Sequence, residues 1–239
     1  MKKIYFLISF ILCLFLAACS KKEDVITEQN VQVTEDEKLG TKWGDEATSH
    51  VTEVNLARLS EQPIAESEIR YDNKQYQGKM VNSISLAAGK ISFSVVNDNN
   101  QELPLYRDGQ NYYLSGKNGQ SYQLKYENHT DNTYEVVASV DGMDVLNGSI
   151  ASRNNSGYVL HPHSTLQIEG FRKSDSAVAS FTFSSPEDAY ATNSDHGSIQ
   201  NTGIIGTAIY QLESPDSKDE IKDSSKYAPP PKAFPADKE

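Results

Sequence analysis

The chain has 239 residues, a formal net charge of −11 and two cysteines. Its length allows one domain with a sizeable core, or one domain with tails. The acidic balance argues against nucleic acid as a partner, because phosphate binding needs clustered Lys and Arg side chains and the sequence has no such cluster. Two cysteines are too few for a disulfide-stapled mini-protein or a Cys-rich zinc module.

The N-terminus has the layout of a secretory signal peptide. Lys2 and Lys3 precede an apolar run, residues 4–16, which is shorter than the roughly 20 residues that a transmembrane helix needs. The sequence Leu-Ala-Ala-Cys at residues 16–19 resembles a bacterial lipobox, the site at which signal peptidase II cuts before a lipidated cysteine. The alternative is an ordinary secretory signal with a chance cysteine near the cut.

The lipobox resemblance implies that residues 1–18 are removed and that Cys19 carries acyl chains that anchor it in a lipid bilayer. Cys13 is lost with the signal, so the mature chain has one cysteine and no intramolecular disulfide. With 20 basic and 33 acidic side chains, its net charge of −13 is repelled by anionic headgroups. Because Ser20 follows the anchor where an Asp would favour inner-membrane retention, we expect the outer membrane of a Gram-negative bacterium.

Composition divides the mature chain into three parts. Residues 19–39 are polar, without apolar periodicity, and predict a flexible tether. Residues 213–239 contain five of the nine prolines and predict a disordered tail. Residues 40–212 lie between these parts and predict one globular domain.

The central region has the alternating pattern of β-strands separated by turn residues. The predicted strands are Ile91–Val95, Tyr112–Leu114, Tyr122–Tyr126, Tyr134–Val140, Gly157–Leu160, Thr165–Glu169, Val178–Phe183 and Ile204–Tyr210. This spacing predicts an all-β domain, an antiparallel β-sandwich, with a β-barrel-like closure as the alternative.

Several local patterns predict connections. Gly116–Gly119 lies between two alternating segments and predicts a hairpin, and Asp141-Gly142 predicts a tight turn. Residues 46–59 suggest a helix despite several β-branched residues. Ser185-Pro-Glu-Asp188 suggests one or two helical turns, with Ser185 as N-cap and proline at the first helical position.

Residues 134–210 also resemble a group of uncharacterised secreted proteins of Gram-negative bacteria. The resemblance rests on four segments: Tyr134-Glu-Val-Val to Asp144, Gly157-Tyr-Val159, Ile168-Glu-Gly-Phe-Arg172 and Gly203-Ile-Ile-Gly206. It covers about a third of the chain and implies no particular activity.

Two groups of residues suggest a metal. Asp141, Asp144 and Asn147 supply oxygens of the kind that calcium prefers, but Ser152 stands where an EF-hand loop beginning at Asp141 needs an acid. The interpretation of Asp141-Gly142 as a hairpin turn is therefore favoured. His161 and His163 would lie on one face of a strand, although Pro162 between them favours an exposed loop.

Three other residues are candidates for binding. Arg172 suits a bidentate pair with a carboxylate: either a structural ion pair with an acid such as Asp141 or Asp144, which we favour, or a clamp on a ligand. In the tail, Tyr227 and Phe234 flank three consecutive prolines. Because consecutive prolines favour polyproline II, this segment either docks in a groove on a partner or is a solvated end.

The remaining patterns give little support to catalysis. The sequence has neither a Gly-x-Ser-x-Gly elbow nor a phosphate-binding glycine pattern, and it predicts no cofactor. We expect a non-catalytic envelope lipoprotein that binds an envelope protein or an external surface ligand. The alternatives are an envelope hydrolase or metal-dependent enzyme, and a solute-binding lipoprotein, which is disfavoured because β-α-β alternation is missing.

The lipobox makes a direct prediction. Labelled palmitate should enter the wild-type protein but not the Cys19→Ala variant, because only a thiol at the cut accepts the diacylglyceryl group. The measurement is metabolic labelling followed by immunoprecipitation. Label in the variant would show that acylation does not depend on this cysteine.

Overall fold

The computed structural model describes residues 37–52 and 54–213. The predicted signal peptide, nearly all of the predicted tether and the predicted tail lie outside the described residues, and so do Cys19, Tyr227 and Phe234. Among the residues that the structure describes, no helical segment has the length and hydropathy of a transmembrane span.

The described residues form an all-β fold, which confirms the predicted fold class. The fifteen strands are β1 (Gly40–Thr48), β2 (Ala65–Asp72), β3 (Lys79–Val81), β4 (Ile84–Leu86), β5 (Ile91–Val96), β6 (Leu105–Asp108), β7 (Asn111–Ser115), β8 (Ser121–Asn128), β9 (Tyr134–Val140), β10 (Met143–Asp144), β11 (Tyr158–Leu160), β12 (Thr165–Ile168), β13 (Gly170–Ser174), β14 (Ala177–Ser184) and β15 (Ile204–Gln211). The 3₁₀ turns in this part of the chain are Ala87–Gly89, Pro186–Asp188 and Ile199–Asn201.

The strands form two sheets and no closed barrel. Sheet 1 has the order β1-β14-β8-β5-β4, with β12 beside β8 and β13 beside β14. Sheet 2 has the order β10-β9-β15-β2-β7-β6-β3, with β11 beside β9. Pairing is antiparallel except between β2 and β7, which run parallel. The predicted antiparallel sandwich is therefore confirmed, with one parallel pair in sheet 2.

The inner faces of both sheets contribute to one hydrophobic core. Strand alternation explains the choice of side chains: Tyr122, Leu124 and Tyr126 of β8 are fully buried, and the residues between them are half-buried. Phe181 and Phe183 of β14 are also fully buried on the same side of their strand. The core is therefore rich in stacked and tilted aromatic rings.

The hairpin predicted around Gly116–Gly119 is wrong. β7 lies in sheet 2 and β8 lies in sheet 1, so this loop crosses between the sheets. Gly116 lies against Phe183, where a Cβ would approach the ring to 2.9 Å, and Gly119 has a φ of +84°. A hairpin and a crossover need the same turn residues, so local sequence does not distinguish them.

The two helix predictions have opposite outcomes. Glu46–Thr48 form the end of β1, and the described residues between Ser49 and Ala57 have no regular secondary structure, so a helix over 46–59 is wrong. The β-branched residues in this segment favour extended backbone. The predicted turn is confirmed as a 3₁₀ turn at Pro186–Asp188, although the Ser185 hydroxyl bonds Asp188 and caps no backbone amide.

The predicted Asp141-Gly142 turn is confirmed. It joins β9 to β10 in a two-residue hairpin, in which both residues have positive φ, +54° and +74°. A type I′ turn requires this conformation, and Asp and Gly adopt it readily. The turn leaves the Asp141 side chain buried inside the sandwich.

The Asp141 carboxylate connects the two sheets. It accepts hydrogen bonds from the Thr41 amide at 2.7 Å, the Tyr71 hydroxyl at 2.6 Å and the Gly203 amide at 2.8 Å. The Thr41 hydroxyl lies 2.7 Å from the hydroxyls of both Tyr71 and Tyr122. Because each hydroxyl has one proton and Tyr71 donates to Asp141, Thr41 donates to Tyr71, and Tyr122 donates to Thr41.

Burial raises the pKa of Asp141 from 3.8 to about 6, although its hydrogen bonds act in the opposite direction. Between about pH 4 and about pH 6, Asp141 is therefore protonated in the folded state and ionised in the unfolded state. The resulting stabilisation is complete below about pH 4 and is lost as the pH rises through 6. Relative to Asp141→Asn, we expect the wild-type free energy of unfolding to fall by up to about 3 kcal/mol between these limits.

This prediction is checked by urea unfolding of the mature chain at several pH values. Asp98→Asn removes an exposed acid and is the matched control, which should follow the wild type. A wild-type stability that rises relative to Asp141→Asn over this range would show that hydrogen bonding outweighs burial.

Candidate functional site

An open groove of about 960 Å³ lies on the outer face of sheet 2, over β9, β15 and β2. Strand register defines its floor in two rows. In the first row Glu66 is opposite Ala208, which is opposite Val137. These three positions place an acid at one side of a floor of small apolar groups.

The second row runs parallel to the first. Glu68 is opposite Gly206, Gly206 is opposite Ser139, and Ser139 is opposite Asp144 of β10. A Cβ at position 206 would lie 2.6 Å from the Ser139 hydroxyl oxygen, so only glycine fits without a shift. Glu68 and Asp144, the acids at the two ends of this row, are three interstrand spacings apart, a width of about 14 Å.

One wall of the groove is the loop that follows β10. The Asp144 carboxylate accepts hydrogen bonds from the amides of Leu146 and Asn147, at 2.9 and 3.0 Å, and from the Asn155 side chain at 2.9 Å. The two ends of the loop are thereby joined. Ile150, at the rim, is 62% exposed.

Arg58 braces the same loop from the other side. Its guanidinium donates to the carbonyl oxygens of Arg153 and Asn155, at 3.0 and 2.6 Å, and to the Glu135 carboxylate at 2.5 Å. It also lies 3.8 Å from the centre of the Tyr210 ring. The bond to Glu135 raises the pKa of Arg58, so the brace keeps its charge.

The side chain of Arg153 links the loop wall to β2. From the loop wall it reaches Glu66 on β2 and forms a bidentate pair, in which one of the two bonds measures 3.0 Å. Both side chains are exposed. Glu68 is paired at 2.8 Å with Arg70 of its own strand and receives no side chain from the loop.

A second surface on this face is aromatic. Tyr113 of β7 and Tyr106 of β6 are neighbours in register, and Met80 of β3 follows them with 60% of its surface exposed. Tyr76 covers this row, its ring centre 4.9 Å from that of Tyr113, and donates a 2.6 Å hydrogen bond to Asp72. Tyrosines of this kind supply stiff contact area.

The two candidate histidines lie in the exposed turn between β11 and β12. The His163 ring is 2.7 Å from the Asp131 carboxylate. The His161 carbonyl oxygen accepts hydrogen bonds from Asn128 and Ser164. Among the described residues there is no group of three or more His, Cys, Asp or Glu side chains that could hold a metal ion.

The predicted ion pair of Arg172 with Asp141 or Asp144 is wrong. Arg172 donates to the Tyr158 hydroxyl, to Ser49 through its carbonyl and hydroxyl oxygens, and to the Ser174 carbonyl oxygen. The carboxylates of Asp141 and Asp144 are instead occupied by the backbone and side-chain donors described above. These four bonds use four of the five N–H donors of the guanidinium. One donor is left, so Arg172 cannot form the predicted bidentate clamp on a ligand without losing some of these bonds.

Of the groove residues, the sequence had singled out only Asp144, as a possible calcium ligand, and the acids and bases of β2 and of the loop were not predicted. Glu66, Glu68 and Arg70 alternate with inward-facing residues along β2, and this alternation is a readable signal of an outer strand face. Arg58 has no comparable signal, because its partner Glu135 is 77 residues away in the chain.

Comparisons with protein-family models, with curated proteins and with solved structures gave no match to this chain.

The role of Arg58 in holding the loop wall can be tested by mutation. Arg58→Ala should destabilise the domain by about 1–3 kcal/mol, because the mostly buried Glu135 carboxylate loses the guanidinium that hydrogen-bonds to it. Hydrogen exchange of the amides in residues 150–156 should accelerate at the same time. Arg70→Ala is the matched control: its pair with Glu68 is exposed, so its loss should cost less than about 1 kcal/mol. Equal effects of the two variants would contradict the bracing role.

Proposed function

We propose that this chain is a non-catalytic binding protein of the bacterial cell envelope, anchored through acylated Cys19 in the outer membrane of a Gram-negative bacterium. Its sandwich binds an envelope protein or a ligand on an external surface. The lipobox-like sequence at residues 16–19 supports the anchor. The groove on sheet 2 supports the binding role.

The observation that carries the proposal is that the groove is open and its wall is already held in place. Arg58 and Asp144 together fix the loop from residue 145 to residue 157 by bonds to its backbone and to Asn155. A wall that is ordered in advance reduces the entropy lost on binding. An open groove favours a macromolecular partner, since small-molecule sites enclose most of their ligand.

The test is affinity capture from cross-linked envelopes with the full-length lipidated protein. Ala208→Phe fills the groove floor, and Gln167→Phe places the same ring on exposed β12 of sheet 1 as the matched control. We expect the same envelope component to be recovered by the wild type and the control, and to be lost or strongly reduced with Ala208→Phe. Equal recovery by all three proteins, or turnover of an envelope polymer by the purified protein, would contradict the proposal.

A further inference from the structure

We propose that the groove on sheet 2 binds an extended, arginine- or lysine-bearing segment of a partner protein, with one basic side chain lying across Gly206 and Ser139 beside Glu68. This inference rests on the binding role proposed above and names the chemistry of the partner.

Arg153 shows how a basic side chain fits this surface. From the loop wall it pairs in a bidentate manner with Glu66, in the groove that Ala208 and Val137 also line. A guanidinium and a carboxylate match well in this geometry. The protein's own arginine therefore pairs with the acid of the first row in the way that a ligand's basic side chain would.

The second row has the same arrangement, an acid of β2 beside a floor of small residues, but no basic side chain of the loop pairs with its acid. Glu68 stands beside Glu66 on the same face of β2, and its floor, Gly206 and Ser139, is as small as that of the first row. The carboxylate of Asp144 lies at the far end of the row, held by backbone amides. A basic side chain from a partner would place its charge near Glu68 and its aliphatic stem on the floor.

The charge of the groove favours a cation. Its lining includes the acids Glu61, Glu66, Glu68 and Asp144, against the single base Arg153. The pair between Glu68 and Arg70 is exposed on both sides and therefore contributes little, so it yields readily to a better-placed partner. The whole chain is also acidic, which speeds the approach of a basic segment.

The shape favours an extended segment. The groove lies across three neighbouring strands and is open to solvent, and successive side chains of an extended chain alternate in direction. Every second residue of the segment would face the floor, and the others would face solvent. Ile150 on the rim offers apolar contact beside the basic site.

The test uses the full-length lipidated protein in detergent and a fluorescent peptide, Ser-Arg-Ser-Arg-Ser-Arg, with Ser-Glu-Ser-Glu-Ser-Glu as the peptide control. Glu68→Gln removes the acid of the second row, and Ser139→Phe fills its floor without a change of charge. Glu102→Gln removes an exposed acid beside β5 of sheet 1 and is the matched control. Fluorescence anisotropy at two salt concentrations measures binding.

We expect the arginine peptide to bind the wild type and Glu102→Gln alike, and Glu68→Gln and Ser139→Phe to weaken binding by about tenfold. Arg153→Ala should strengthen binding severalfold, because it frees Glu66 while the residue 153 carbonyl oxygen still binds Arg58 and Tyr210. Equal binding by all variants, no binding by the wild type, or weaker binding by Arg153→Ala would overturn the inference.

Capture from envelopes separates this inference from the function on which it rests. If Glu68→Gln still recovers the component that the wild type recovers, and the arginine peptide fails to compete for it, the protein binds a partner but not through this row. If no component is recovered by the wild type, the binding role itself is contradicted.

Discussion

The buried Asp141 carboxylate is the constraint on which the arrangement of the two sheets depends. It lies in a turn of sheet 2, yet its nearest donors include the Thr41 amide in sheet 1. A buried carboxylate is costly unless donors surround it, and here two backbone amides and the Tyr71 hydroxyl do so. The chain of hydroxyls then continues through Thr41 to Tyr122, so that the position of β1 is specified by hydrogen bonds as well as by packing.

The same turn also determines one side of the groove. Because Asp141 and Gly142 close a two-residue hairpin, Met143 and Asp144 pair back onto β9 in a fixed register. Asp144 is thereby placed opposite Ser139, where its carboxylate anchors the loop wall. The groove and the link between the sheets therefore begin from one short stretch of chain, and a change that loosens the turn would affect both.

The sequence predicted features that depend on neighbours in the chain. The alternation in Tyr122–Tyr126 and the turn at Asp141-Gly142 follow from local rules of side-chain direction and backbone conformation. The pairing of β7 with β2 was not predictable in this way, since parallel pairing is set by the path of the whole chain. The partners of Arg172 were missed for a related reason: the Ser49 atoms that it binds lie 123 residues away.

The outer face of sheet 2 has a composition that core packing alone does not require. Gly206 lies in the middle of a central strand, where glycine weakens a sheet by leaving nothing to pack and by its loss of backbone freedom. Arg58 and Glu135 form a mostly buried ion pair on this face, although burial of two charges gives little net stabilisation compared with apolar packing. Glycine at position 206 keeps side chains out of the groove floor, and the pair of Arg58 with Glu135 holds the loop wall in place. These two features lower the stability of sheet 2 at the groove. The other face of the same strands buries a largely aliphatic part of the core, which includes Ile69, Val136, Val140, Ile205 and Ile209.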